Sequence, residues 1–130
     1  MNRPSRNVAV LDDESEMRTA LSRLLRARGF SVVPYASGAE FLAEDADVFD
    51  CVVLDLHMPG LSGFEVLGEI GERASHPPVV VITGHDEPGN CERVQSLGAS
   101  DYLLKPVDQS TLLAAIDRAT CAAATPDDPH

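Results

Sequence analysis

The sequence predicts a doubly wound α/β domain, a parallel sheet covered by helices on both faces. Three observations carry this expectation. Short apolar runs alternate along the chain with segments of helical periodicity. The runs Val8 to Leu11, Cys51 to Leu54 and Val79 to Ile82 are continuously apolar, the pattern of strands buried on both faces. A chain of 130 residues with a 44% hydrophobic share is long enough for one domain around a single core.

The elements follow in order. Val8 to Leu11 is the first strand. Met17, Ala20, Leu21, Leu24 and Leu25 recur at helical spacing, and Gly29 stops that helix. Phe30 to Tyr35 reads as a second strand, and Pro34 near its end points to an edge position. Ser37-Gly38-Ala39-Glu40 is a capping box that opens a short helix through Leu42. Cys51 to Leu54 is the third strand. Phe64, Leu67 and Ile70 mark a third helix, weakened by Gly68 and Gly71. Val79 to Ile82 is the fourth strand. A fourth helix lies around Cys91 to Leu97, after a break at Pro88-Gly89. Tyr102 to Leu104 is the fifth strand, and Asp108 can cap a last helix carrying Leu112, Leu113 and Ile116. No internal domain boundary is visible. Residues 1–119 read as one domain and residues 120–130 as a disordered tail or linker stub.

Composition narrows the function. With few aromatics and no Trp, the core must be aliphatic. The 21 acidic and 10 basic residues give a formal net charge of -11, which a phosphate backbone would repel, so direct nucleic-acid binding is not expected. Cys51, Cys91 and Cys121 are odd in number and widely spaced, and they form no metal-ligand pattern. They suggest a reducing compartment without disulfides, with Cys51 as a small core residue. His57, His76, His85 and His130 also lack metal spacing. The first apolar run is too short for a signal peptide or membrane span, so the expected location is the cytoplasm.

The residues at the strand ends carry the chemistry. The first strand is followed by Asp12-Asp13-Glu14, the third by Asp55, the fourth by Thr83-Gly84 and the fifth by Lys105-Pro106. In a parallel sheet these ends share one edge, where open α/β sheets bind ligands. Asp12, Asp13 and Asp55 would then lie close together. At about 4 Å and an effective dielectric near 20, each like-charged pair costs roughly 4 kcal/mol. A cation must offset this, or one carboxyl will stay protonated. Oxygen ligands without Cys or His point to Mg²⁺, which favours a phosphate oxygen as a further ligand. Lys105 and the Thr83 hydroxyl suit that phosphate, and Asp55 can itself be the nucleophile.

These residues resemble the receiver domain of two-component response regulators. The resemblance runs from Val8 to Ala119. It rests on Asp12-Asp13, on Asp55-Leu56-His57-Met58-Pro59-Gly60 with Gly63, on Thr83-Gly84 and on Lys105-Pro106. Met58 to Gly63 and Ile82 to His85 look most like the nitrogen-fixation and nodulation regulators. The resemblance implies a flavodoxin-like five-stranded parallel sheet of order 2-1-3-4-5 with five helices, the order of the chemotaxis receivers. It implies that Asp55 accepts a phosphoryl group from a histidine kinase or phosphotransfer protein. Asp12, Asp13, Asp55 and the His57 main-chain carbonyl would bind Mg²⁺. Lys105 would contact the phosphoryl group, with a cis peptide before Pro106. Thr83 and Tyr102 would be the switch residues, reshaping the surface of the fourth helix, fifth strand and fifth helix. Slow self-dephosphorylation and a phosphorylation-dependent homodimer are further implications.

Each residue also has a plainer reading. Asp13 with Glu16 reads as a helix cap, Thr83 as a strand residue, Lys105-Pro106 as a surface turn and Tyr102 as strand packing. His57 and His85 read as exposed loop histidines, or as groups that tune hydrolysis of an aspartyl phosphate. Joint placement on one edge favours the functional reading. An alternative function is a Mg-dependent phosphohydrolase acting through an aspartyl phosphate, but it normally needs Asp-x-Asp, and position 57 is His. A flavin-binding module is a third option, and the acidic edge and missing Gly-rich phosphate loop oppose it.

Overall fold

The computed structural model describes residues 6–44, 48–73 and 76–124, with side chains described as far as Thr120. Its elements alternate strictly: β1 (Asn7–Leu11), α1 (Ser15–Ala27), β2 (Ser31–Tyr35), α2 (Gly38–Leu42), β3 (Cys51–Asp55), α3 (Gly63–Gly71), β4 (Val79–Thr83), α4 (Asn90–Ser96), β5 (Asp101–Leu104) and α5 (Gln109–Ala124). All four strand pairings are parallel, as the apolar runs predict, and the order is β2-β1-β3-β4-β5, as the family resemblance implies.

The continuous apolar runs are explained by two cores, one on each sheet face. Successive residues of a strand point to opposite faces. Ala9, Leu11, Val52, Leu54 and Val81 pack with Phe41 of α2, with Val66, Leu67 and Ile70 of α3, and with Val94 of α4. Val8, Val10, Val53, Val80 and Ile82 pack with Leu21 and Leu25 of α1 and with Leu112 and Ile116 of α5. Every residue of β3 and β4 is buried. Cys51 belongs to the α1/α5 core, and burial pushes its thiol up to about 12. Pro34 sits on edge strand β2, opposite Val10, where its missing N–H costs least.

Three local expectations are corrected. The Ser37 box is only half formed: Ser37 Oγ accepts from Glu40 N at 3.2 Å, but the Glu40 carboxylate accepts from Ala36 N. Asp13 does not cap α1. The N-cap is Glu14, without a side-chain bond, because the preceding turn is closed by Asp12, whose Oδ1 accepts from Glu14 N at 2.9 Å. The tail expected from Thr120 starts inside a helix, since α5 continues to Ala124. Thr120 is buried, Arg6 donates to its Oγ1 at 2.9 Å, and the Ala-rich sequence after it favours helix. Residues 125–130 lie outside the described residues. The Asp108 cap is present, with its Oδ2 accepting from Thr111 N at 3.1 Å. Among the described residues, no helix is long and apolar enough to cross a membrane.

Candidate functional site

β1 and β3 are neighbours at the centre of the sheet, and from there the chain winds outward in opposite directions. In a doubly wound fold this switch point opens a crevice at the carboxyl ends of the strands. Asp12 directly follows β1 and Asp55 ends β3, so the fold puts one carboxylate on each side of the crevice. Both are almost completely buried, Asp12 at 0% and Asp55 at 3% exposure, and Asp13 beside them is exposed. Each of the three aspartates offers a carboxylate oxygen, and these oxygens lie within 4.8 Å of one another.

Lys105 reaches into this group from the end of β5. Its Nζ donates to Asp12 Oδ2 at 3.1 Å and to Asp55 Oδ2 at 3.4 Å. It also donates to Glu14 Oε1 at 3.4 Å, on the outer side of the crevice. The Lys105-Pro106 peptide is cis, as expected, and Lys105 N donates to Thr83 O at 2.8 Å, which ties the two strand ends together. Burial pulls the Lys105 ammonium down, but the Asp12 hydrogen bond and the charges of Asp55 and Asp12 outweigh it and leave the ammonium above its ordinary range. Asp55 moves the other way from a typical surface carboxylate. Burial, and then the Asp12 charge, push its carboxyl up to about 6, against the opposing pull of His57 N–H and Lys105. One ammonium thus offsets part, and not all, of the buried negative charge. This is the electrostatic condition for a hard divalent cation, and the all-oxygen donor set fits Mg²⁺.

The loop after β3 is shaped around Asp55. His57 N donates to Asp55 Oδ1 at 3.2 Å. Gly63 opens α3 so close to the strand that a Cβ there would lie 2.5 Å from Leu56 Cα and 2.7 Å from Asp55 O. Ser62 and Glu65 close a complete capping box at that helix start.

Thr83, at the end of β4, is fully buried, and its hydroxyl is bonded to groups other than Asp55. Its Oγ1 accepts from His85 N at 3.1 Å, donates to His85 O at 3.2 Å and lies 3.1 Å from His57 Nδ1. The His57 and His85 rings meet edge to face with centroids 4.8 Å apart. Tyr102, on edge strand β5, is half-buried against the core beneath α2, α3 and α4 and donates from its hydroxyl to Asp86 Oδ1 at 2.9 Å. The structure therefore brings Asp12, Asp13, Asp55 and Lys105 together; Thr83 adjoins Lys105 and His57, and Tyr102 bonds to Asp86 instead. Three partners emerge only from the fold: Glu14 on Lys105, Asp86 on Tyr102, and Arg18, whose Nη1 donates to Asp12 O at 2.7 Å. Of these, only Glu14 has a sequence signal, as the third acidic residue of its run.

Comparison with known proteins identifies the family and the fold. The family model described as response regulator receiver domain matches residues 8–117. The transcriptional regulatory protein FixJ of Azorhizobium caulinodans is 40% identical over 112 residues, spanning 84% of this chain and 52% of that protein. Nodulation protein W of Bradyrhizobium diazoefficiens is 39% identical over 114 residues, spanning 87% of this chain and 50% of that protein. The chain thus spans about half the length of the curated relatives it matches. Among solved structures, the crystal structure of FixJ-N is 35% identical with a TM-score of 0.82, covering 89% of this chain and 94% of that one. A receiver domain protein from Clostridium thermocellum is 32% identical with a TM-score of 0.85, covering 92% and 97%.

Proposed function

Because the chain belongs to the response regulator receiver family, we propose that it is a signalling switch thrown by phosphorylation of Asp55. The observation that supports this most directly is the buried Asp55 carboxylate at the switch point, facing Asp12 and contacted by Lys105. In the proposed reaction, an Asp55 carboxylate oxygen attacks the phosphorus of a phosphohistidine on a histidine kinase or phosphotransfer protein. The P–O bond forms as the P–N bond breaks, and the departing nitrogen keeps the electron pair. Water later attacks the phosphorus, releasing inorganic phosphate and restoring the carboxylate in slow self-dephosphorylation.

Asp12, Asp13, Asp55 and the His57 main-chain carbonyl are the proposed Mg²⁺ ligands, and the ion would neutralise charge on the transferring phosphoryl oxygens. Lys105 is already in contact with Asp55 and would keep one donor on the phosphoryl group. The modification adds about -1.5 to -2 charge to one carboxyl. Thr83 would turn its hydroxyl toward this new acceptor, Tyr102 would leave Asp86 and move inward, and the surface of α4, β5 and α5 would change. A partner for that surface is proposed to be a second copy of the chain. With a net charge of -11, the chain is not proposed to contact nucleic acid itself, and its proposed location is the cytoplasm. Family membership favours this switch over a phosphohydrolase that turns over an external substrate.

Mass spectrometry after incubation with acetyl phosphate and Mg²⁺ tests the chemistry. One added phosphoryl group in the wild type and none in Asp55→Asn is the expected result. Equal labelling of both proteins would overturn the assignment of Asp55.

A further inference from the structure

His57 and Thr83 are joined in a way that phosphoryl transfer to Asp55 does not require. Thr83 Oγ1 has one proton and two lone pairs. The His85 carbonyl is placed to take the proton at 3.2 Å, and the His85 N–H faces one lone pair at 3.1 Å. His57 Nδ1, at 3.1 Å, completes the set as a donor to the other lone pair. This requires His57 to carry a proton on Nδ1. The buried hydroxyl is then fully satisfied at rest. Its surroundings are braced as well: Asn90 Nδ2 donates to His85 O at 3.3 Å, and the two imidazole rings are in edge-to-face contact. His57 comes from the loop after β3 and His85 from the loop after β4, so Thr83 is held from two strands.

We propose that His57 is a positioning residue that latches the Thr83 hydroxyl in its resting place. The same residue holds Asp55 through its main-chain N–H, at 3.2 Å from Oδ1. Phosphoacceptor and switch hydroxyl therefore share one neighbour. To reach a phosphoryl oxygen on Asp55, Thr83 must give up the His57 ring, and that loss weighs against the active state. Breaking one net hydrogen bond changes a two-state ratio roughly five-fold. The His57 side chain is exposed, so changing it leaves both cores intact and keeps the main-chain groups near Asp55. The inference rests on the phosphoacceptor reading of Asp55.

The test is a titration of the full chain with beryllofluoride, a phosphoryl mimic, in the presence of Mg²⁺. It is followed by NMR of the Thr83 methyl and the Tyr102 ring. In His57→Ala, the resting signals should already be displaced toward their saturated positions, and half-saturation should need roughly five-fold less beryllofluoride. His57→Asn places an amide where Nδ1 stood and should behave like the wild type. In a Thr83→Ala background, His57→Ala should have no further effect on half-saturation. Wild-type signals and half-saturation in His57→Ala, with mimic binding intact, overturn the latch alone. The latch also falls if His57→Asn matches His57→Ala, or if the five-fold effect survives in Thr83→Ala. Failure of the wild type to bind the mimic overturns the phosphoacceptor reading, and the latch with it.

Discussion

Asp55 shows most clearly how single residues set the behaviour of this site. Its carboxyl is pushed up to about 6 by burial and by the Asp12 charge, and Lys105 pulls it part of the way back. The folded protein therefore holds a proton on Asp55 that the unfolded chain has already lost. Between the ordinary carboxyl value of 3.8 and about 6, the folded state binds more protons, so this residue's contribution to stability falls as pH rises through that window. The proposed metal binding would have the opposite dependence, because only the ionised carboxyl is a ligand. A carbon-13 NMR titration of the metal-free protein should give an Asp55 midpoint near 6. Lys105→Met should move it higher still, since the ammonium is one of the groups lowering it. Apparent Mg²⁺ affinity should be level above that midpoint and fall about tenfold per pH unit below it. An Asp55 midpoint near 3.8 would remove the electrostatic basis for the cation.

At the scale of elements, the tightest fit is between α3 and the end of β3. A Cβ on Gly63 would strike main-chain atoms of Leu56 and Asp55, which cannot turn aside as a flexible side chain can. Gly60, three residues earlier, has φ +76 and open space around it, so its cost of substitution is conformational only. Gly63→Ala should therefore cost about 1–3 kcal/mol in denaturant unfolding and slow labelling of Asp55 by displacing its strand end. Gly60→Ala should cost about 1 kcal/mol and leave labelling close to wild type. Equal losses from the two changes would mean that α3 does not constrain the site. The same elements indicate what is legible in the sequence. Buried parallel strands are written as unbroken apolar runs, and the polar residues that end them stand out, so the sheet and Asp12, Asp55, Thr83 and Lys105 can be read directly. Gly68 and Gly71 make α3 look weak from its sequence, and the capping box of Ser62 and Glu65 that starts it emerges with the structure. Contacts made only by folding have no local signature. His57 meets Thr83 across 26 positions and Asp86 meets Tyr102 across 16. The end of α5 is obscured because a short Ala-rich run followed by Pro and Asp resembles a tail, and Arg6 anchors Thr120 from the far end of the chain.

For the whole molecule the governing quantity is charge. A net charge of -11 raises the energy of the compact state by self-repulsion, and the acidic crevice concentrates part of that cost in one buried place. In the proposed switch, activity and stability therefore oppose each other at Asp55. Replacing it with Asn removes a buried charge facing Asp12, while the amide oxygen can still accept from His57 N–H and Lys105 keeps Asp12 and Glu14 as partners. The metal-free Asp55→Asn protein should melt higher than the wild type at neutral pH, on the order of 1 kcal/mol or roughly 4 °C after allowing for solvent screening. Mg²⁺ should reverse the ranking. At a hundredfold excess over its dissociation constant it adds about 2.7 kcal/mol to a protein that binds it only when folded. The wild type should gain that increment, and Asp55→Asn should lose most of it. Sodium chloride at matched ionic strength screens all the charges alike, so it should raise both proteins by similar, smaller amounts. Calorimetric melting of the two proteins in each medium separates these effects. If Asp55→Asn melts lower than the wild type without metal and still responds fully to Mg²⁺, then Asp55 is neither the strained carboxylate nor a ligand. The cation would have to be held by Asp12 and Asp13 alone.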